Sequence, residues 1–154
     1  MGDFRISLKA REWFSDLRTG SKPFRTDFDI FYFCFMAGIS AGEKKSLQQS
    51  ETAQLVDYFP DRYVSRGKLL IGLFLARELR ELGVEMRQRE AVNAAISSLI
   101  DPHAGNYLSD LGIKEFNSYA HGGYGVLIDR FDDRPRNLDM FLRTFKMHID
   151  ELAT

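Results

Sequence analysis

The chain has 154 residues, of which 44% are hydrophobic and 28% are charged, and its formal net charge is -1. This length is typical of one domain with a substantial core, and the composition excludes a disordered tail and a strongly basic nucleic-acid binder. A net charge close to zero still permits a basic face on one part of the surface. The single cysteine, Cys34, excludes a disulfide within the chain. The single cysteine and an N-terminal stretch that does not resemble a signal peptide together favour a location in the reducing cytoplasm.

The N-terminal residues permit two local structures. Residues 4–8 alternate loosely between apolar and polar side chains and predict a short strand or arm. Ser7 is equally suited to capping a helix, which would end at Thr19 and Gly20 because glycine takes the left-handed position there. Both interpretations stay open at this point.

A second helix follows, carrying the longest apolar run of the chain, residues 28–39. Thr26 or Asp27 is its predicted cap, and Gly38 or Gly42 its predicted end. The run is about half of the ~20 residues needed to cross a bilayer, so it predicts a buried helix and no membrane contact.

The middle of the chain predicts a loop and two helices. Residues 42–52 are polar and indicate an exposed loop. Residues 65–82 show a clear helical pattern, with Gly83 as the stop. A further helix is predicted near 85–100, broken by the Asp-Pro pair at 101–102.

The last third predicts two more helices. Residues 108–120 indicate a short helix that stops at Gly122 and Gly123, and Asn137 is a good cap for an amphipathic helix over 138–152. The fold class that follows is all-α: a single compact domain of six or seven helices, with a short N-terminal strand or arm.

The segment YAHGGYGVLIDRF, residues 119–131, holds three glycines within four positions. A dinucleotide fingerprint would need G-x-G-x-x-G after a strand, whereas G-G-Y-G here follows a predicted helix. We interpret the segment as a helix stop and tight turn in which Gly125 permits close helix packing. The alternative is a hinge or contact surface. The residues of this turn or contact surface are His121, Gly122, Gly123, Tyr124 and Gly125.

Catalytic and metal-binding patterns are weak. Cys34 lies in an apolar run, where burial makes a thiol inert, and no two histidines are spaced as metal ligands on a helix. Asp129, Asp132 and Asp133 interleave with arginines, which is typical of a solvated, self-neutralising loop. A nuclease-like use of these acids with His121 is the alternative. No cofactor and no metal are expected.

Basic residues are concentrated near the start of the chain. Six cations precede residue 26, namely Arg5, Lys9, Arg11, Arg18, Lys22 and Arg25. A positive face built from the first helix and the loop after it would suit phosphate contact.

The stretch RISLKAREWFSDLRTGSKPFRTDFDIFYFCFMAGISAGE, residues 5–43, has an I-S-x-x-A opening, an L-R-T-G helix end and a second hydrophobic helix. It resembles the opening of the DndE-type accessory proteins of bacterial DNA sulphur modification (phosphorothioation). The resemblance implies a ribbon-helix-helix-like start and oligomers that bind DNA, including nicked duplex. The phosphate-contact candidates that it implies are Lys9, Arg11, Arg18, Lys22 and Arg25.

The sequence therefore predicts a cytoplasmic, non-catalytic accessory or adaptor subunit of a bacterial DNA-modification or phage-defence system. Residues 1–42 would face DNA or a partner, and residues 53–154 would form a helical bundle. The expected partners are DNA, other protein subunits and further copies of the chain. One alternative is a pure protein–protein adaptor or self-assembling subunit, since 13 phenylalanines exceed what the core should need. The other is a metal-dependent, nuclease-like hydrolase.

Overall fold

A computed structural model describes residues 2–19 and 24–152. These residues form seven α-helices and one antiparallel pair of short strands, which confirms the predicted all-α fold with a short N-terminal strand. The strands are β1 (Arg5–Ser7) and β2 (Thr52–Gln54). The helices are α1 (Leu8–Trp13), α2 (Ser15–Thr19), α3 (Asp27–Ala41), α4 (Val64–Glu81), α5 (Arg89–Leu99), α6 (Asp110–Arg130) and α7 (Leu138–Leu152). None of the described helices combines the length and the apolar character that crossing a bilayer requires.

Both interpretations of the N-terminal residues are correct, because Ser7 ends β1 and caps α1. Its hydroxyl oxygen accepts a hydrogen bond from the backbone N–H of Ala10, at 3.3 Å. The single helix predicted to follow is instead two helices, because the backbone leaves helical geometry at Phe14 and resumes it at Ser15. The predicted stop at Gly20 lies outside the described residues.

Strand β2 lies at the end of the segment predicted to be an exposed loop. It pairs with β1, placing Ile6 opposite Ala53, and Thr52 is buried. The prediction is therefore correct for most of residues 42–51 and wrong for Thr52.

The capping residues predicted for three helices are confirmed. Thr26 is the N-cap residue of α3, and the Asp29 carboxylate accepts hydrogen bonds from the backbone N–H groups of Arg25 (2.9 Å) and Thr26 (3.2 Å). Helix α3 ends at Gly42, which takes the left-handed conformation with φ 68°, and α4 is followed by Gly83 with φ 71°. Before α7, the side-chain oxygen of Asn137 accepts from Met140 N at 3.1 Å.

The predicted stop at Gly122 and Gly123 is wrong, because α6 continues through both glycines to Arg130. Neither glycine has a positive φ. A Cβ on Gly123 would overlap the backbone carbonyl oxygen of Cys34, and a Cβ on Gly38 would overlap that of Tyr119. The glycines therefore allow the backbones of α3 and α6 to touch, which any larger residue would prevent.

The described residues fall into two compact units, each built from two segments of the chain. One consists of residues 2–4 and 56–116, and the other of residues 5–55 and 117–152. The predicted functional division into residues 1–42 and 53–154 stays a prediction.

Phenylalanine side chains form the centre of each unit. In the first unit, Phe4 packs on Phe59 with ring centroids 5.1 Å apart. In the second, Phe14 packs edge-on against Phe141 at 5.3 Å. Of the 13 phenylalanines, ten are buried and three are half-buried. The expected surface surplus of phenylalanine is therefore wrong, because none of the 13 side chains, all of which the structure describes, is fully exposed.

Candidate functional site

A cleft of about 480 Å³ lies within the second unit, between the β1–α1 junction, the segment 45–51 and helix α6. Its volume falls in the range of small-molecule pockets, roughly 300–1,000 Å³. Helix α6 contributes His121, Tyr124, Gly125 and Ile128. These positions follow the spacing i, i+3, i+4, i+7, so one face of the helix forms one wall of the cleft.

The cleft brings together residues from the two candidate groups that the sequence kept apart. Lys9, from the basic N-terminal group, lines the same cleft as His121, Tyr124 and Gly125. Gly122 and Gly123 do not line it, because they face the backbones of residue Glu43 and helix α3. The continuous helix is responsible for this division, since residues 121, 124, 125 and 128 share one face of it and residues 122 and 123 lie on another.

His121 is a buried polar side chain of the cleft, with 7% of its surface exposed. Its Nδ1 is buried without a hydrogen-bond partner among the described residues. Burial, reinforced by the positive charge of Arg5, lowers the pKa of His121 to about 4, against a smaller opposing effect of Glu51. The imidazole is therefore neutral at physiological pH and offers one hydrogen-bond donor and one acceptor.

Tyr124 and Gly125 shape the wall beside His121. The ring of Tyr124 packs edge-on against Trp13, at 6.2 Å between centroids, and burial raises the pKa of its phenol. A Cβ on Gly125 would meet nothing within 4 Å. The predicted close helix packing at Gly125 is therefore wrong, and its missing side chain keeps the cleft open.

A second cleft, of about 340 Å³, adjoins the other side of Gly125. It is lined by Lys44 and Lys45 together with Asp129. The Lys44 ammonium also lies over the ring of Tyr119, 5.2 Å from its centroid. Glu43 also lines this second cleft, so its two lysines are balanced by two carboxylates.

Two cations at the first cleft are free of acidic partners. Lys9 and Lys45 are both exposed, and neither forms an ion pair in the part of the chain that the structure describes. They come from distant segments, so the sequence alone could not place them on one rim. Lys45 lies in a segment predicted only to be an exposed loop, and it was not among the predicted phosphate contacts.

The other predicted phosphate contacts differ in whether they form an ion pair. Arg18 donates from Nε to the Asp27 carboxylate at 3.1 Å, and Arg11 lies 3.7 Å from the same carboxylate. Arg25 is exposed and without an ion pair among the described residues. Lys22 lies outside them. Asp27 therefore neutralises part of the basic group that the sequence predicted.

The loop between α6 and α7 is neutralised only in part by its own side chains, because its arginines also pair with an acid of α2. Asp133 pairs with Arg136 at 3.4 Å, and Arg134 lies 3.6 Å from Asp16 of helix α2. Across residues 2–19 and 24–152, no three His, Cys, Asp or Glu side chains form a group able to hold a metal ion. The nuclease-like alternative thus gains no support from this loop.

The prediction for Cys34 is confirmed. Its side chain is buried in α3, and burial raises the pKa of the thiol far above its usual range. A thiol in this state is a packing group and a poor nucleophile.

Comparison with protein-family models, with curated proteins and with solved structures finds no match to this chain.

Proposed function

We propose that the protein is a non-catalytic accessory subunit that contacts the phosphate backbone of DNA through Lys9 and Lys45, called here the lysine rim. The observation that carries the proposal is their convergence on one cleft without an acidic ion-pair partner among the described residues. Free ammonium groups on a shared surface are what sequence-independent phosphate contact needs. Arg25 is a third exposed cation, although it does not line the cleft.

The ion pairs that Arg11 and Arg18 form with Asp27 limit the strength of the DNA contact. Arg11 and Arg18 must release the Asp27 carboxylate before they can bind a phosphate. We therefore expect two or three phosphate contacts, which corresponds to weak, salt-sensitive binding without base specificity. Such binding suits an accessory subunit that acts within a larger DNA-bound assembly.

The resemblance of residues 5–43 to DndE-type openings supports the same function, because it implies contact with duplex or nicked DNA. Lys9 lies inside that stretch, and Lys45 follows it by two residues. A role in bacterial DNA modification or phage defence, in the cytoplasm, is part of this proposal.

The test is fluorescence anisotropy with labelled intact, nicked and single-stranded DNA at about 50 mM salt. The double variant Lys9→Gln with Lys45→Gln should weaken binding about tenfold, which corresponds to about 1.4 kcal/mol. The matched control is Arg66→Gln with Lys68→Gln, which removes two exposed charges from helix α4. Absence of DNA binding, or equal losses in both double variants, would contradict the proposal.

A protein–protein adaptor is the second candidate, on a different observation. Leu82 and Met86 follow α4 and expose 62% and 72% of their surfaces. Apolar side chains exposed this close together favour a docking contact. The double variant Leu82→Glu with Met86→Glu should then abolish co-purification of a partner subunit and leave DNA binding unchanged, whereas retained co-purification would eliminate this contact.

A further inference from the structure

We propose that the cleft beside His121 binds a small organic monoanion with an apolar body, such as an aryl or alkyl carboxylate. The site goes beyond the proposed DNA contact, because the ligand would enter the cleft whereas a duplex would contact only its rim. Four properties of the described residues support it: apolar walls, a net positive charge, a buried polar group without a partner, and an open wall at Gly125.

The apolar walls come from three elements. Leu8 begins α1, Leu47 lies in the segment before β2, and Ile128 is in the last turns of α6. Leu8 and Ile128 expose 39% and 41% of their surfaces. Apolar surface left exposed in a concave site is stabilised by an apolar ligand, at roughly 25 cal/mol for each Å² removed from water.

The charge of the lining selects a monoanion. Lys9 and Lys45 contribute two positive charges, Glu51 contributes one negative charge, and the neutral His121 contributes none. The Glu51 carboxylate is held in place by the backbone N–H of Gln48, which donates to it at 3.1 Å. A single negative charge on the ligand therefore neutralises the net charge of the lining.

His121 supplies the polar contact inside the cleft. A buried polar atom without a hydrogen-bond partner is unfavourable, and a bound group that supplies the partner removes this penalty. The described residues give Nδ1 of His121 no partner, and the residue lines the cleft. A carboxylate, or a water that accompanies it, is a suitable partner for one of the two ring nitrogens.

The size of the cleft limits the ligand. Its volume of 480 Å³ corresponds to about 16 water molecules at the liquid value of ~30 Å³ each. This space accommodates one or two rings or a short alkyl chain. A side chain at position 125 would occupy part of it, since a Cβ there points into open space.

The test uses anilinonaphthalene sulfonate (ANS), an aromatic monoanion that fluoresces when it leaves water. The natural chain should bind one equivalent. Gly125→Leu should abolish that binding, whereas Gly72→Leu should retain it. Gly72 is a matched control, because it also lies within a helix, is exposed, and has no atom within 4 Å of its Cβ position. Equal ANS binding in the two leucine variants would overturn the proposal.

Competition tests the charge requirement. Phenylbutyrate should displace ANS, and phenylbutylamine, which carries the opposite charge on the same body, should not. Lys9→Gln with Lys45→Gln should weaken displacement by phenylbutyrate about tenfold. Equal displacement by the amine would overturn the proposal. Gly125→Leu keeps the lysine rim and should bind DNA normally, so failure of this site and failure of the DNA contact are distinguishable.

Discussion

Gly123 of α6 lies against the carbonyl oxygen of Cys34 in α3, so closely that a Cβ on the glycine would overlap that oxygen. The contact is reciprocal, since a Cβ on Gly38 would overlap the carbonyl oxygen of Tyr119. Two helices therefore cross at backbone contact. Helix α6 continues past this contact, and its His121 and Tyr124 lie on the face that lines the cleft.

Gly123→Ala should lower the free energy of unfolding by about 3 kcal/mol or more, because the added methyl forces two packed backbones apart. The cause is steric and not conformational, since Gly123 has no positive φ. Urea denaturation measures the change.

Gly125→Ala is the matched control in the same helix. It should raise the free energy of unfolding by up to about 1 kcal/mol, because alanine favours a helix over glycine and the Cβ meets no atom within 4 Å. Equal effects at positions 123 and 125 would contradict the backbone crossing.

These glycines also show how far the sequence predicts the fold. Local signals predicted α4, α7 and their caps, because capping by Asn137 and termination by Gly83 depend on neighbouring residues alone. The sequence could not distinguish a glycine that ends a helix from one that permits two helices to touch. The contact between the helices also depends on Gly38, which is far away in the chain. Strand β2 escaped prediction for the same reason, because its three residues are specified by pairing with β1.

The candidate site was predictable in part. Lys9, His121, Tyr124 and Gly125 were selected from the sequence by their chemistry, but nothing local indicated that they share one cleft. Lys45 was missed because exposed lysines are common in loops. The one available signal was Leu47, a lone apolar residue within an otherwise polar stretch, which lines the apolar wall.

The stability of the protein should fall as the pH drops from 6.5 toward 4. The pKa of His121 is lowered from 6.5 to about 4, so in this window the unfolded chain binds a proton that the folded chain does not. The contribution of the neutral His121 to the free energy of unfolding is fully present above pH 6.5. It amounts to at most about 3 kcal/mol, at 1.36 kcal/mol for each pKa unit. Urea denaturation at several pH values measures it.

His121→Gln removes the titrating group and should flatten this part of the pH profile. His103→Gln, which removes an exposed histidine, is the control substitution. A profile unchanged by His121→Gln would show that the buried imidazole does not govern acid sensitivity.

Asp27→Asn should have opposite effects on stability and on DNA affinity. Loss of the carboxylate removes the acidic partner of Arg11 and Arg18 and a favourable charge from the first turn of α3, at a cost of about 1 kcal/mol. Arg18 still donates to the backbone carbonyl oxygen of Phe24 at 3.2 Å. The two positive charges that are no longer neutralised should strengthen DNA binding several-fold at low salt.

Asp139→Asn is the comparison for Asp27→Asn, because it changes an exposed carboxylate in the first turn of α7. It should lower the free energy of unfolding by a similar amount, because a favourable charge at the start of a helix is lost, and it should leave DNA affinity unchanged. If Asp27→Asn destabilises the protein without strengthening DNA binding, the two arginines do not face the DNA.

The central claim is that Lys9 and Lys45 contact phosphates, and the salt dependence of duplex binding tests it most directly. The slope of log Kobs against log salt should become shallower by about 2 in Lys9→Gln with Lys45→Gln, since each lost phosphate contact removes about 0.9. Arg66→Gln with Lys68→Gln should keep the natural slope. An unchanged slope in the Lys9 and Lys45 variant would contradict the claim, even if its affinity were lower.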